Sequence, residues 1–127
     1  MTNDAIIGHT GFVGGTLARQ HLFGAKYNSS NIDTIAQSTF NTVVCAAAPG
    51  SMFIANRHPD RDRAAIEALI DQLSKVKAKR FVLISSIAVL ADFASGADER
   101  TTAFQEDLAY GLNRRRLEAF CEQHFDQ

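Results

Sequence analysis

Three side chains in the second half of the chain have the types needed to move a proton at an oxygen atom. Ser86 follows Ser85 at the predicted end of a buried strand in "RFVLISSIAVL" (80–90). Tyr110 stands four residues before Arg114 in "YGLNRRRLE". On a helix this spacing places Tyr110 and Arg114 on one face. A nearby fixed cation favours the phenolate form of tyrosine, so Tyr110 would be the general acid or base. The set of serine, tyrosine and cation suits redox chemistry at a carbonyl or a hydroxyl group, whereas the spacing of Tyr110 and Arg114 taken alone occurs by chance in many helices.

A glycine-rich segment near the N-terminus, "AIIGHTGFVGG", has the spacing G-x-x-G-x-x-G. Gly8 would permit a tight turn, Gly11 would let a pyrophosphate approach the backbone, and Gly14 would let the following helix pack closely. The free N–H groups of a helix that begins near Phe12 would face the phosphates. The alternative is a glycine-rich turn without a ligand. The predicted cofactor contacts of this segment are Gly8, Thr10, Gly11, Phe12, Val13 and Gly14.

A dinucleotide site usually has an acidic residue about 20 positions after the glycines, where it binds a ribose. Asp33 is the nearby candidate, but it would serve equally well as the cap of a short helix. The segment "YNSSN" (27–31) offers Asn28 and Asn31 as hydrogen-bonding partners for an adenine, a ribose or a 2'-phosphate. An ordinary polar turn explains the same residues, and the choice between NAD and NADP stays open.

The elements that must position these residues alternate between apolar runs and helical patterns. Unbroken apolar runs are typical of strands buried on both faces of a parallel sheet. The predicted strands are 5–7, 42–48 and 80–90, with a brief strand at Ala25 to Tyr27. Helices are predicted from Phe12, over about 60–76 and over about 105–124, with a brief one at 32–37. This order predicts a doubly wound, Rossmann-like α/β fold whose second-strand region is abbreviated.

Two of the predicted helices carry apolar stripes at helical spacing. The stripe of the first is Ile66, Leu69, Ile70, Leu73 and Val76, and that of the second is Leu117, Phe120, Cys121 and His124, with Leu108 and Leu112 upstream. Pro59 fits the first turn of the earlier helix, and Lys75, Lys77, Lys79 and Arg80 would follow its far end.

The composition indicates one soluble domain over 1–127. Apolar residues make up 46% of the 127 residues, charged residues 21%, and the formal net charge is -1, which does not favour a nucleic-acid partner. The sequence shows neither an N-terminal targeting pattern nor an apolar run that could span a bilayer, so a cytoplasmic protein with no membrane partner is expected. Cys45 and Cys121 are predicted to be buried free thiols, and the histidines lack the spacing of metal ligands.

Taken in order, these segments resemble the extended short-chain dehydrogenase/reductase family, the nucleotide-sugar epimerases and dehydratases. The resemblance covers nearly the whole chain, including "NRHPDRDRAAIEALI", which is similar to a family helix motif. The matching residues are Gly8, Gly11 and Gly14 in the glycine loop, Ala46, Ala47 and Ala48 over the cofactor, Ser85, Ser86 and Val89 in the serine segment, and Tyr110, Gly111 and Glu118 in the tyrosine motif.

The resemblance implies NAD or NADP as cofactor and a small-molecule substrate such as a sugar nucleotide. It implies that Ser86, Tyr110 and Arg114 are catalytic, that Ser85 and Ala46 to Ala48 line the cofactor site, and that a homodimer forms through the helices near 60–76 and 105–124.

Three features depart from the family. Arg114 replaces a lysine, the second-strand acid is missing, and the sequence given reaches Gln127 without the C-terminal substrate region of the family. A non-catalytic dinucleotide-binding regulatory or interaction module is therefore the alternative.

Overall fold

The structure is a computed structural model that describes residues 3–28, 30–35, 38–48, 52–85, 104 and 108–125. Four strands and four α-helices follow one another in the described ranges. They are β1 (Asp4–Ile7), α1 (Phe12–Gln20), β2 (Ala25–Tyr27), β3 (Thr39–Cys45), α2 (Met52–Arg57), α3 (Pro59–Leu73), β4 (Lys77–Leu83) and α4 (Ala109–Phe125), with a 3₁₀ helix at Ile32–Ile35 between β2 and β3.

The four strands form one parallel sheet in the order β2-β1-β3-β4. Ile7 pairs with Tyr27 on one side and with Cys45 on the other, so the carboxyl ends of three strands meet at one edge. Leu83 of β4 pairs with Cys45 and extends that edge. The predicted Rossmann-like α/β fold is confirmed, and the second-strand region is abbreviated to the three residues of β2.

The core lies between one face of the sheet and helices α3 and α4. Ala5, Ile7, Val43 and Cys45 point to this face. They are joined by the buried residues of the predicted helical stripes, which are Ile66, Leu69, Leu73, Val76, Leu117 and Cys121. Ile70 and Phe120 are partly buried against the same core. Leu108 and Leu112, which lie upstream of the second stripe, do not belong to this core, because Leu108 is 50% and Leu112 is 37% exposed.

Several element boundaries differ from the sequence-based prediction. Strand β3 ends at Cys45, so Ala46 to Ala48 belong to the loop after it. Strand β4 begins at Lys77, three residues before the predicted start at Arg80, and ends at Leu83. The sequence did not predict α2. It is separated from α3 because His58 leaves the helical conformation (φ -129°, ψ 64°), and Pro59 then occupies the first turn of α3.

Both cysteines are buried free thiols, as predicted. Burial raises the pKa of Cys45 from its ordinary value to about 11, and that of Cys121 to about 12.

In the described part of the chain, no helix is long and apolar enough to cross a membrane, and no group of three potential metal ligands occurs.

Candidate functional site

The turn that follows β1 needs glycine at Gly8 for reasons internal to the protein. Gly8 has φ +91°, a conformation that L side chains rarely adopt. Its N–H donates to the carbonyl oxygen of Tyr27 at 2.7 Å, and a Cβ atom at Gly8 would lie 2.6 Å from the carbonyl oxygen of Ala46. The turn therefore sits between the ends of β2 and β3 with no room for a side chain.

Helix α1 packs directly on this turn through Gly14. Gly14 is buried, and a Cβ atom there would overlap the carbonyl oxygen of Gly8. Such close packing of helix against turn is the role predicted for the third glycine of the motif. It brings the first turn of α1 to the carboxyl edge of the sheet.

Gly11 differs from the other two glycines, because nothing in the described residues requires it to lack a side chain. A Cβ atom at Gly11 would meet only the carbonyl oxygen of Gly8, at an ordinary 3.6 Å, and its backbone (φ -80°, ψ 176°) suits any residue. Gly11 is the N-cap of α1, no side chain caps the helix, and the first turn has no acidic residue. This surface of exposed backbone and uncapped N–H groups fits a phosphate group.

The residues around Gly11 share its exposure. Phe12 is 92% and Val13 is 43% exposed, and Thr10 is exposed as well. The segment from Thr10 to Val13 is therefore a surface turn that leads into a helix and leaves its backbone accessible. Its residues would hold the pyrophosphate of a dinucleotide through N–H groups and the Thr10 hydroxyl.

The end of β2 lies beside the glycine turn and carries a hydrogen-bonded polar turn. Asn28 Oδ1 accepts from the N–H of Ser30 at 3.0 Å, and Asn31 Oδ1 accepts from the N–H of Asn28 at 2.7 Å. Asn31 Nδ2 also donates to the carbonyl oxygen of Lys26. These bonds match the polar-turn interpretation of "YNSSN", and a cofactor role for Asn28 and Asn31 stays a prediction.

His9 joins the glycine turn to β2 a second time. Its Nδ1 lies 3.0 Å from the carbonyl oxygen of Tyr27, which can only accept, so Nδ1 carries the proton in this contact.

No carboxylate directly follows β2, and Asp33 is exposed in the 3₁₀ helix. The position at which a dinucleotide site usually binds a ribose therefore has amide side chains instead of an acid.

Arg114 connects α4 to the ends of two strands. Its Nη1 donates to the carbonyl oxygen of Ile84 at 3.1 Å, and its Nη2 lies 3.4 Å from the carbonyl oxygen of Ala48. The residue is 7% exposed, so its guanidinium is enclosed at the carboxyl edge of the sheet. The predicted cofactor contacts Ala46 to Ala48 lie in the loop that Arg114 holds, and the N–H of Ala46 donates to the carbonyl oxygen of Ile7 at 2.8 Å.

Tyr110 and Arg114 lie on one face of α4, as their four-residue spacing predicts. The guanidinium carbon of Arg114 is 5.1 Å from the centroid of the Tyr110 ring. Tyr110 is buried and packs with Ala55 of α2. Its backbone N–H donates to Asn56 Oδ1 at 2.9 Å, which caps one of the free amides at the start of α4.

Ser85 follows the strand that Arg114 holds. Its Oγ is enclosed, and it has no hydrogen-bond partner among the described residues. Ser86, the predicted catalytic serine, lies outside the described residues, as does Val89. The structure thus brings the glycine turn, the loop after β3, Ser85, Tyr110 and Arg114 to the same edge of the sheet, and the position of Ser86 in that group is still a prediction.

Three polar residues near Tyr110 were missed as part of this site. They are Asn56, Asp62 and Asn113, and the last two form a buried hydrogen bond from Asn113 Nδ2 to Asp62 Oδ2 at 2.7 Å. A signal for this pair was present in the sequence. Asp62 precedes Ile66 by four residues and Asn113 precedes Leu117 by four, so each is a polar residue on an extension of an apolar stripe.

No protein-family model matches the sequence, and no curated protein gives a significant match. Solved structures do resemble it. The UDP-glucose 4-epimerase of Thermotoga maritima, solved with UDP-glucose, has a TM-score of 0.64 at 16% identity and is matched over 97% of this chain and 52% of that one. The UDP-N-acetylglucosamine 4-epimerase of Bacillus cereus has a TM-score of 0.62 at 19% identity, over 97% of this chain and 56% of that one.

At these identities the likeness concerns the fold, and the chain spans about half the length of both epimerases. Their likeness agrees with the parallel sheet and the helices described above. The chain therefore has the Rossmann-like α/β fold that is also found in these nucleotide-sugar epimerases.

Proposed function

We propose that this chain binds NAD or NADP and belongs to a protein that carries out epimerase-, dehydratase- or reductase-like chemistry on a carbonyl or hydroxyl substrate. The main support for this proposal is that no contact within the described residues requires a glycine at Gly11. Gly8 and Gly14 are explained by the packing of the protein itself, whereas Gly11 keeps an uncapped helix end free of side-chain atoms. A phosphate group explains that arrangement.

Tyr110 is the proposed proton donor and acceptor. A bound nicotinamide would supply hydride transfer, and the side chains of this chain would then orient the substrate oxygen and move its proton. Ser86 would orient that oxygen through its hydroxyl group. Arg114 keeps a permanent positive charge over the Tyr110 ring, with its guanidinium carbon 5.1 Å from the ring centroid.

The proposed substrate class is a sugar nucleotide or another carbonyl or hydroxyl compound. Support comes from the names of the two similar structures, which are epimerases of UDP-glucose and UDP-N-acetylglucosamine. This chain spans about half of each, so the substrate proposal applies to the protein in which this domain works.

Calorimetry with NAD⁺, NADH, NADP⁺ and NADPH tests the binding step. We expect heat and a raised melting temperature for at least one of the four ligands. A panel of aldehydes, ketones and UDP-sugars then tests turnover, with Tyr110→Phe as the matched variant, which should keep the cofactor affinity and lose about 100-fold or more in kcat. Equal turnover by both proteins would remove Tyr110 from the mechanism, and no binding of any dinucleotide would overturn the proposal as a whole.

The specific contacts of Arg114 favour a second candidate, a non-catalytic dinucleotide-binding regulatory or interaction module. Its guanidinium donates to two backbone carbonyl groups, and arginine cannot release a proton as a lysine in a proton relay can. This candidate predicts cofactor binding with no turnover on any member of the panel.

We further propose a cytoplasmic homodimer that forms through the outward faces of α3 and α4. Leu108 and Leu112 are large apolar side chains exposed near the start of α4, where a second copy would cover them. Gel filtration with light scattering measures the mass directly. A monomer at high micromolar concentration would overturn the dimer without affecting the proposed cofactor binding.

A further inference from the structure

We infer that Asp62 and Asn113 are positioning residues that fix helix α4 so that Tyr110 and Arg114 face the candidate site. The inference rests on the proposed function for its catalytic meaning. The structural part, the control of the orientation of Tyr110, can be measured without turnover.

The hydrogen bond between the two side chains is short and enclosed. Asn113 Nδ2 donates to Asp62 Oδ2 at 2.7 Å, Asn113 is 3% exposed and Asp62 is 8% exposed. Fifty-one residues separate the partners along the chain. The bond therefore ties the first turn of α3 to the second turn of α4.

Asp62 is a buried carboxylate that forms no ion pair with a described residue. Two features offset the loss of its hydration. The amide of Asn113 donates to it, and it lies in the first turn of α3, where the helix dipole favours a negative charge. A buried polar pair of this kind contributes less to stability than apolar packing of equal volume would, but it specifies one arrangement of its neighbours.

An apolar pair would have continued the core at this place. One turn further along, Ile66 of α3 and Leu117 of α4 are fully buried members of that core. Apolar contacts permit two helices to slide and rotate against each other, whereas a hydrogen bond of 2.7 Å requires one distance and one direction. The polar pair thus sets the register of α4 on α3.

A second contact fixes the same helix one turn earlier. The N–H of Tyr110 donates to Asn56 Oδ1, and Asn56 belongs to α2, two residues before the break at His58. Two points of α4, at Tyr110 and at Asn113, are therefore held by the α2–α3 segment. Two fixed points determine both the axial position and the rotation of a helix, and Arg114 follows the second of them directly.

Loss of the pair should consequently turn the Tyr110 ring without unfolding the domain. Asp62→Leu removes the acceptor and leaves the Asn113 amide without a partner, whereas Asp62→Asn keeps an acceptor without the charge. The double variant Asp62→Asn with Asn113→Asp exchanges the two groups and restores a donor and a carboxylate acceptor. Asp60→Asn is the matched control, because Asp60 is an exposed acid in the same first turn of α3.

The composition of the chain provides a direct optical reporter. It contains two tyrosines and no tryptophan, so a Tyr27→Phe background leaves Tyr110 as the single tyrosine, and excitation beyond the phenylalanine absorption band selects its fluorescence. Quenching by acrylamide then reports the exposure of Tyr110, near-ultraviolet circular dichroism reports its immobilisation, and urea unfolding checks that each variant is folded. Steady-state kinetics are measured separately with Tyr27 in place.

We expect Asp62→Leu to raise the quenching of Tyr110 by about twofold or more, since opening of a local unit exposes its buried groups. The exchanged pair should return quenching towards the original value, and Asp60→Asn should not change it. In the enzyme, kcat should fall about tenfold or more while KM for the dinucleotide stays within about twofold, as for loss of an interaction that serves the transition state.

Unchanged quenching and near-ultraviolet dichroism in a folded Asp62→Leu variant would overturn the inference. If that variant does not fold, Asn113→Ala, which removes the donor instead of the acceptor, decides in its place, and a Tyr110 signal equal to that of the original chain would overturn the inference as well. A chain that binds no dinucleotide would refute the proposed function, and the quenching experiment would still measure the control of Tyr110 by Asp62 and Asn113.

Discussion

The guanidinium of Arg114 lies over the ring of Tyr110, 5.1 Å from its centroid, while two of its nitrogens donate to the carbonyl oxygens of Ile84 and Ala48. One side chain thus joins α4 to the loop after β3 and to the end of β4. Its charge has a fixed position because backbone atoms hold it. The cation beside Tyr110 is therefore a structural connection as well as an electrostatic partner.

The first prediction concerns the shape of this cation. Arg114→Lys keeps the charge but replaces the planar group with a single ammonium, so at least one of the two carbonyl contacts is lost. We expect a loss of about 1–3 kcal/mol in the free energy of unfolding, measured by urea titration. Arg114→Met removes both contacts and the charge and should destabilise the chain more than the lysine variant does.

Arg115→Lys is the matched control for that experiment. Arg115 is a partly exposed neighbour on the same helix that pairs with Glu118 and Glu122. Its replacement should change the free energy of unfolding by less than about 1 kcal/mol. Similar losses for Arg114→Lys and Arg115→Lys would contradict the connecting role of Arg114.

The second prediction separates the glycines of the turn by their effects. Gly8→Ala and Gly14→Ala should each destabilise the chain by about 2 kcal/mol or more, because a Cβ atom would meet the backbone of Ala46 in the first case and of Gly8 in the second. Gly11→Ala should lower the free energy of unfolding by about 1 kcal/mol or less. It should nevertheless weaken dinucleotide binding about tenfold or more, because the methyl group stands where the phosphates would approach.

Calorimetry and thermal unfolding on the same three proteins check this pattern. A Gly11→Ala variant that binds NAD⁺ or NADP⁺ as tightly as the natural chain would show that the phosphates do not approach this glycine. The result would remove the main support for the proposed cofactor site, whatever the stability of the other two variants.

Local patterns in the sequence predicted the parts of this molecule that depend on short-range geometry. The glycine turn follows from the requirements of Gly8 and Gly14, and the common face of Tyr110 and Arg114 follows from helical spacing. The end of β3 was misplaced because the apolar run continues through Ala46 to Ala48, whereas the ladder with β1 ends at Cys45. The hydrophobicity of a segment does not indicate the residue at which a strand stops pairing with its neighbour.

Long-range partners were the part that the sequence could not provide. Asp62 and Asn113 are both conspicuous as polar residues on apolar stripes, but no local rule connects positions 51 residues apart. Leu108 and Leu112 show a second limit of sequence patterns. An apolar stripe indicates which face of a helix packs inward, but it does not show how far along the helix the neighbouring elements extend. Only the packing of α4 on α3 and β4 decides which part of the stripe is covered.

The third prediction uses that contrast on one helix. Leu117→Ala removes a fully buried side chain and should lower the free energy of unfolding by about 2–5 kcal/mol. Leu112→Ala, one to two turns earlier in the same predicted stripe, should cost about 1 kcal/mol or less at a dilution at which the chain is monomeric, because that side chain is partly exposed in the single chain. Urea titration of both variants checks the difference, and equal losses would mean that Leu112 is covered, for instance by a second copy of the chain.

The last prediction concerns the two buried thiols at alkaline pH. Burial raises the pKa of Cys45 to about 11 and that of Cys121 to about 12, above the ordinary value of 9.0 that the unfolded chain retains. The folded chain therefore keeps protons that the unfolded chain loses, and the free energy of unfolding falls as pH rises above 9. The stabilisation is complete below pH 9 and is lost progressively up to the folded pKa, by on the order of 3–4 kcal/mol per thiol.

A double variant, Cys45→Ala with Cys121→Ala, isolates this contribution from the titration of lysine and tyrosine, which both proteins share. It should be the less stable of the two at pH 7, because it lacks buried atoms, yet it should lose less stability between pH 8 and pH 10.5. Urea titrations across that range provide the comparison. Parallel pH profiles would show that the thiols do not stay protonated inside the fold, which would contradict the enclosed core in which β3 and α4 place them.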